Sequence, residues 1–384
     1  MNRLAPLVCI FLLWISACRE PFDPDLRQSD LSVLIIEGYL DTEGLPSILK
    51  LSYSRNVNTE EDHTPSYPGA IVHLKSESGV TYSLTDLGFG EFEFAHDIPE
   101  DEFYRLYIST NDGKSYTSDL LKPILTPDII DVGIEKNDLG AEIYLTTRGD
   151  DNADDFLWTF EEMYAFRPKL LSYFKYDPEV NDIVNRSLDE RTDLCYRGTV
   201  SSDLILETSS RFEDQFVFRQ SITHIKQGDE RLSVRYSILI SQKALDSKAS
   251  EFWETLRRNT DDIGTIFSPL PSNIGGNFKN DQDPSVPVVG FVSLGTVKQR
   301  RLFVDVREVS PWIPDVPDYY NCFVEPDTVR RLDYGASFGG GGFVPVNPIF
   351  PENGTAPIGY QGAVRRCTDC TLRGTTVKPD FWED

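Results

Sequence analysis

The sequence predicts a mainly β protein. An N-terminal immunoglobulin- or prealbumin-like β-sandwich is followed by a larger antiparallel β-sandwich or barrel-like domain with one amphipathic helix and a loop-rich C-terminal tail. Three observations carry that prediction. Short runs rich in β-branched and aromatic residues recur from Leu31 onward with period-2 alternation. Turn-forming triplets separate them: Thr42-Glu43-Gly44, Tyr67-Pro68-Gly69, Gly88-Phe89-Gly90 and Asn111-Asp112-Gly113. The last is the clearest hairpin signal, because Asp-Gly tolerates the positive φ angles of a type I′ turn. Finally, Ala244–Asp262 departs from the strand period and places Leu245, Ala249, Phe252 and Leu256 three and four residues apart, the stripe of a half-buried helix.

In chain order, the first region offers strands at Leu31–Leu40, Ser47–Tyr53, Ala70–Lys75, Thr81–Thr85, Glu91–Ala95, Phe103–Thr110 and Ser115–Ser118. Seven short strands within residues 31–125 make a sandwich. Lys122-Pro123 to Thr126-Pro127 marks its end, since proline cannot donate to a ladder. The second region, 126–384, offers Ile129–Glu135, Ala141–Thr147, Phe156–Phe166, Phe216–Ile225, Leu232–Ser241, Val286–Leu294 and Leu302–Val309 around the helix. From Pro311 the chain is rich in proline, glycine and tyrosine, with Gly339–Gly342 in succession. This tail is expected to wrap the second domain as long loops pinned by disulfides. No fixed-period repeat is visible.

The first 18 residues determine the address. Arg3 gives a positive start, Leu7–Trp14 a short apolar core, and Ile15-Ser16-Ala17 a small-residue end directly before Cys18. That is a secretory signal of the lipoprotein kind over residues 1–17. Its core is about half the ~20 residues needed to span a bilayer, so it reads as a cleaved signal and not an anchor helix. Lipidation falls on Cys18, which holds the protein to the membrane. Residues 18–30, with Pro21, Pro24 and several acids, have little to bury and form a tether.

Removing residues 1–17 takes away Arg3, one of 37 basic residues against 62 acidic ones, so the mature chain of 367 residues carries a net charge of −26. A surface so acidic repels phosphate backbones and argues against a nucleic-acid partner. Cys195, Cys322, Cys367 and Cys370 remain once Cys9 has left with the signal and Cys18 is acylated. Four cysteines in an oxidising compartment read as two disulfides of unspecified pairing, each stabilising by about 3–5 kcal/mol if it closes a long loop. Cys367-Thr368-Asp369-Cys370 also has the spacing of half a zinc site or a redox dithiol. Cys195 and Cys322 form no second close pair, and Thr371–Thr376 does not open a helix, so neither alternative is supported.

Three blocks resemble a family of Bacteroidota outer-membrane lipoproteins catalogued as domain of unknown function 4249. The first is Leu34-Ile35-Ile36-Glu37-Gly38-Tyr39-Leu40, read as a strand running into an acidic-glycine turn. The second is Phe252-Trp253-Glu254-Thr255-Leu256, continuing through Gly264-Thr265-Ile266-Phe267-Ser268-Pro269 and Gly275-Gly276-Asn277 to Val289-Gly290-Phe291. The third is Cys367-Thr368-Asp369-Cys370 with Gly374 and Lys378-Pro379-Asp380-Phe381-Trp382. The resemblance implies an outer-membrane lipoprotein, whose genes often stand beside those of TonB-dependent receptors. It implies no catalytic residue. Acids just after Cys18 also resemble that lineage's surface-export signals, which favours display on the cell surface.

No motif supplies an active site. Gly335-Ala336-Ser337-Phe338-Gly339 matches the pattern of a hydrolase nucleophile elbow, yet glycines follow it where a helix should begin. His63, His73, His96 and His224 all precede the serine, against the hydrolase order. Asp150-Asp151-Asn152-Ala153-Asp154-Asp155 packs four carboxylates into six residues but lacks the alternation and central glycine of a calcium loop, and reads as a solvated turn. Glu60-Glu61-Asp62-His63 reads as a polar loop. Aromatic residues gather at Tyr164, Phe166, Tyr173, Phe174 and Tyr176, and again at Trp312, Tyr319, Tyr320 and Phe323. On loops they would offer a platform for sugars or peptides; in strands they are core. Asp327-Thr328-Val329 resembles a short O-glycosylation motif. The expectation is therefore a non-enzymatic surface lipoprotein without cofactor or metal, accessory to a TonB-dependent receptor in ligand capture or uptake. A structural or assembly factor of the envelope, and a surface hydrolase with an unrecognised carboxylate site, are the alternatives.

Overall fold

The computed structural model describes residues 33–54, 69–261 and 275–383. Residues 1–17, Cys18, the tether 18–30, Glu60–His63 and the stretch 264–274 of the second family block lie outside the described residues. The first strands are β1 (Leu34–Asp41), β2 (Ser47–Tyr53), β3 (Ile71–Ser76), β4 (Thr81–Ser83), β5 (Thr85–Gly88), β6 (Glu91–Phe94), β7 (Tyr104–Ser109) and β8 (Ser115–Ser118). They are followed by β9 (Ile129–Lys136), β10 (Gly140–Arg148), β11 (Asp155–Phe166), β12 (Phe174–Asp177), β13 (Asp182–Asn185), β14 (Cys195–Val200), β15 (Ile205–Thr208), β16 (Phe216–Lys226) and β17 (Arg235–Leu245). Helix α1 (Ser247–Asp261) leads to β18 (Phe278–Asn280), β19 (Val288–Gly295) and β20 (Val297–Asp305). The tail holds helices α2 (Val306–Val309) and α3 (Tyr334–Phe338) and strands β21 (Val329–Arg330), β22 (Phe343–Ile349) and β23 (Gly359–Val364).

The first sandwich packs a sheet of order β19-β1-β2-β6-β5 on one of order β18-β8-β7-β3-β4. Alternate residues of β1 and β2, among them Leu34, Ile36, Leu49 and Leu51, meet Val72, Leu74, Leu106 and Ile108 of the facing sheet in one core. Two of its strands come from far along the chain. β19 pairs in parallel with β1 over its full length, and β18 pairs with β8. The predicted partition at 125 therefore does not follow the pairing: residues 278–295 complete the first sandwich. Strand periodicity shows that a segment is a strand but not which sheet receives it.

The parallel contact explains one family block. Gly290 has φ +128°, and a Cβ there would sit 1.8 Å from the Ile36 carbonyl oxygen. Only glycine fits. The Glu37-Gly38 pair, read as a turn, lies inside β1, where its residues pair with Lys50 and Leu49 of β2.

In the second sandwich β14-β11-β17-β20, with β15 also on β11, faces β16-β10-β9. Phe156, Trp158 and Phe160 of β11 and Ile238 and Ile240 of β17 bury against Ile143 and Leu145 of β10. The two sheets stay separate, so of the sandwich and barrel alternatives this domain is a sandwich.

Several boundaries moved for local reasons. β17 runs on to Leu245, so the helix starts at Ser247, with the Asp246 carboxylate accepting the Ala249 N–H at 2.7 Å. Residues 306–309, predicted as strand, form a helical turn because Asp305 and Glu308 close a capping box. The tail is not all loop. β22 and β23 pair around a bulge between Pro345 and Asn347, with β21 on the other side of β23. Prolines at 345 and 348 hid β22 from a pattern-based reading. Among the described residues no helix is long and apolar enough to cross a membrane.

Candidate functional site

The two sandwiches meet where the chain passes between them. The segment after Leu121 and the segment joining β19 to β20 run side by side. The Thr126 N–H donates to Thr296 Oγ1 at 2.8 Å, and the Thr296 N–H donates to the Ile124 carbonyl at 3.0 Å. From β1 the Tyr39 hydroxyl donates to the Ala244 carbonyl at 3.2 Å. Burial, with a smaller contribution from Asp41, raises the Tyr39 pKa far above its ordinary value, so the phenol stays a donor. Asp41 is fully buried. Its Oδ1 accepts the N–H groups of Glu43 (2.9 Å) and Leu45 (2.8 Å), and its Oδ2 that of Val297 (2.8 Å). Phe252 and Trp253 of α1 pack with Phe291 of the first sandwich and Leu157 of the second. An apolar seam and buried hydrogen bonds therefore join the sandwiches.

Beside this junction lies a cleft of about 510 Å³. Strand alternation decides its lining. On β11, Trp158 and Phe160 point into the core, which leaves Leu157, Thr159 and Glu161 on the opposite face. On β17, Ile240 and Gln242 are core, which leaves Ser241 and Lys243. Glu37 and Tyr39 of β1 and Ile48 and Lys50 of β2 form the opposing wall. Trp253 and the loop Ser201–Leu204 complete the lining.

Lys243 is the unusual group. It is partly exposed, and its Nζ donates to Thr159 Oγ1 at 3.3 Å and lies 5.9 Å from the centroid of the Tyr39 ring. Burial pushes its pKa down to about 8, against the opposing influence of Glu161. Lys50, by contrast, is exposed and paired to Glu91 at 3.8 Å. The cleft thus combines a desolvated amine, carboxylates at Glu37, Glu161 and Asp203, and apolar surface. Such a site suits a small ligand with both charged and apolar parts. Sequence reading missed Lys243 and Glu161. The available signal was Thr159/Glu161 and Ser241/Lys243, polar at alternate positions in otherwise apolar strands.

A second charged cluster is structural in form. Arg231 reaches Glu162 at 2.7 Å and Asp229 at 2.9 Å, and the Tyr236 hydroxyl donates to Glu162 at 2.6 Å. Each charge is paired, as buried charges must be.

The residues singled out from the sequence do not converge. Cys195 bonds Cys370 and Cys322 bonds Cys367, so the two thiols of the Cys-x-x-Cys motif go to different partners. Ser337 lies within α3, which ends at Phe338, and not on a strand-to-helix elbow. His73 and His96 belong to the first sandwich and His224 to β16 of the second. The acids at 150–154 form the turn from β10 to β11, where Asp150 Oδ1 accepts the N–H groups of Asn152 and Ala153, and Asp155 opens β11.

The aromatic cluster splits. Tyr164 and Phe166 are core, while Phe174 and Tyr176 pack with Tyr334 and Tyr360 beneath the tail. Tyr173 is covered by the Arg191 guanidinium at 4.4 Å. Trp312 packs on the second core and Tyr319 is buried. Tyr320 and Phe323 are 67% and 58% exposed, and Tyr320 borders a second cavity of about 460 Å³. Thr328 is exposed just before β21.

No curated protein matches the chain. A solved structure described as manganese lipoxygenase of Gaeumannomyces graminis with partial zonadhesin of Komagataella pastoris is 9% identical. It covers 57% of this chain and 90% of its own at a TM-score of 0.15. The type II cohesin dyad from the ScaA scaffoldin of Acetivibrio cellulolyticus is 10% identical, covering 68% and 98% at a TM-score of 0.13. Likenesses so remote carry no argument about this protein. A family model described as "Domain of unknown function (DUF4249)" matches residues 19–301, well over half of the chain, and the protein belongs to that family.

Proposed function

We propose that this protein is a non-enzymatic lipoprotein, held on the outer membrane through Cys18 and facing the cell surface, that helps a TonB-dependent receptor capture or admit a ligand. The anchor rests on the signal at residues 1–17 with Cys18 directly after it. The observation that carries the capture role is the cleft at the junction of the two sandwiches, walled by strands of both. Most of its lining comes from strands of the two joined sandwiches, which lowers the entropic cost of binding. Affinity purification from detergent-solubilised outer membrane under native expression tests the reading. A TonB-dependent receptor in the eluate supports it, and its reproducible absence refutes it.

One observation favours a second reading, a surface hydrolase: Glu37, Glu161 and Asp203 line the same cleft. Turnover of glycoside or ester substrates by the purified protein, abolished in Glu161→Gln, would establish it.

A further inference from the structure

The charges of the cleft are unevenly satisfied. Lys243 has Leu157 and Val297 as its cross-strand neighbours, and its ammonium spends one donor on Thr159. An ammonium has three donors. Among the described residues no carboxylate stands within ion-pair distance of it, although Lys50 in the same cleft has found Glu91. Glu161 acts on it only from beyond that distance, and a cation in a cavity without a direct ion pair is a receptor for an anionic group, of which a carboxylate is the smallest organic one. The opposite charge is also present: Glu37, Glu161 and Asp203 border the cleft. Apolar side chains share the lining, with Ile48 41% exposed and Leu204 and Trp253 in the same cleft.

We infer that the cleft binds short peptides with free termini, seating the C-terminal carboxylate on Lys243, apolar side chains along Ile48, Leu204 and Trp253, and the amine among the bordering carboxylates. A fatty acid would satisfy Lys243 but leave the acids facing a hydrocarbon tail. A neutral sugar would leave Lys243 without a direct ion-pair partner. This assignment rests on the capture reading and names its ligand class.

The test is calorimetric titration of the purified, lipidated, full-length protein in detergent. The probes are trileucine, trileucine amide, octanoate and maltotriose. Trileucine binds, and the amide binds at least about tenfold more weakly because the charge-assisted contact is lost. Lys243→Met removes that preference and Lys243→Arg keeps most of it. Equal binding of acid and amide by the wild-type protein overturns the assignment without recourse to any variant, as does tighter binding of octanoate or maltotriose. The outcomes separate from those of the capture reading. A receptor that co-purifies while trileucine fails to bind sinks the peptide assignment alone. Trileucine bound with no receptor sinks the accessory role alone.

Discussion

The Asp41 carboxylate on β1 accepts the backbone N–H of Val297 on β20 at 2.8 Å, across 256 residues of sequence. With its other oxygen it holds the N–H groups of Glu43 and Leu45, so one buried side chain shapes the turn after β1 and bolts the two sandwiches together. Asp41→Ala orphans the buried Val297 N–H and frees the partly buried N–H groups of Glu43 and Leu45 to water. A buried unsatisfied group costs about 1–3 kcal/mol, so a loss of about 1–3 kcal/mol is expected. Urea denaturation of the variant measures it; an unchanged midpoint would show that the junction does not depend on Asp41.

Gly290 makes an equally sharp case. Gly290→Ala places a Cβ against the Ile36 carbonyl and forces β19 away from β1, with a loss of at least about 3 kcal/mol. Gly275→Ala is the control, since a Cβ there meets nothing within 4 Å, and should shift stability by no more than about 0.5 kcal/mol. Thermal unfolding of both variants compares them directly.

The disulfides close loops of different size. Cys195–Cys370 spans 175 residues and Cys322–Cys367 spans 45. On the chain-entropy model each contributes about 3–5 kcal/mol, the longer loop more. Mass spectrometry of a non-reduced digest cleaved before Asp369, which separates Cys367 from Cys370, should yield these two linked peptide pairs and neither alternative pairing. Cys195→Ala/Cys370→Ala should lower the melting temperature further than Cys322→Ala/Cys367→Ala.

Lys243 predicts a pH dependence. Its folded pKa of about 8 lies below its ordinary value of 10.5, so folding disfavours the ammonium. Below pH 8 both states are protonated and the full penalty applies. As pH rises from about 8 to 10.5 the folded state releases its proton first, and this residue's penalty fades, so its contribution to stability rises. Lys243→Met should therefore stabilise the protein at pH 7 by on the order of 1–2 kcal/mol, the partial exposure of the lysine reducing the effect of the shift. That gain should disappear near pH 10.5. NMR of reductively methylated protein should show one lysine titrating near pH 8 and shifting upward when trileucine is bound.

Particular elements show how far local pattern reaches. Ser47–Tyr53 and Ser115–Ser118 match their predicted bounds, because alternation and flanking turns both mark them. Glu37-Gly38 misled because glycine after an acid has the composition of a turn, whereas here Gly38 is a strand residue whose Cβ would meet Leu49 Cδ1 at 2.9 Å. Gln242 is another case. Fully buried, it accepts from Trp158 Nε1 at 2.9 Å and donates to the Pro127 carbonyl at 2.7 Å. Its own neighbours in sequence do not mark a core position, since the partners that satisfy it lie 84 and 115 residues away.

By itself the sequence determined the β class, most of the strands, the long helix before β18 and the family. Each of these is written in contiguous residues, through side-chain alternation, turn chemistry or a local motif. Only the tertiary structure decided that β18 and β19 complete the first sandwich, which cysteines pair, and that Lys243 and Glu161 share a cleft with Glu37 and Trp253. Those facts depend on sheet assignment and on the packing of one sandwich face against another. Such contacts join residues hundreds of positions apart, and periodicity along the chain carries no record of them.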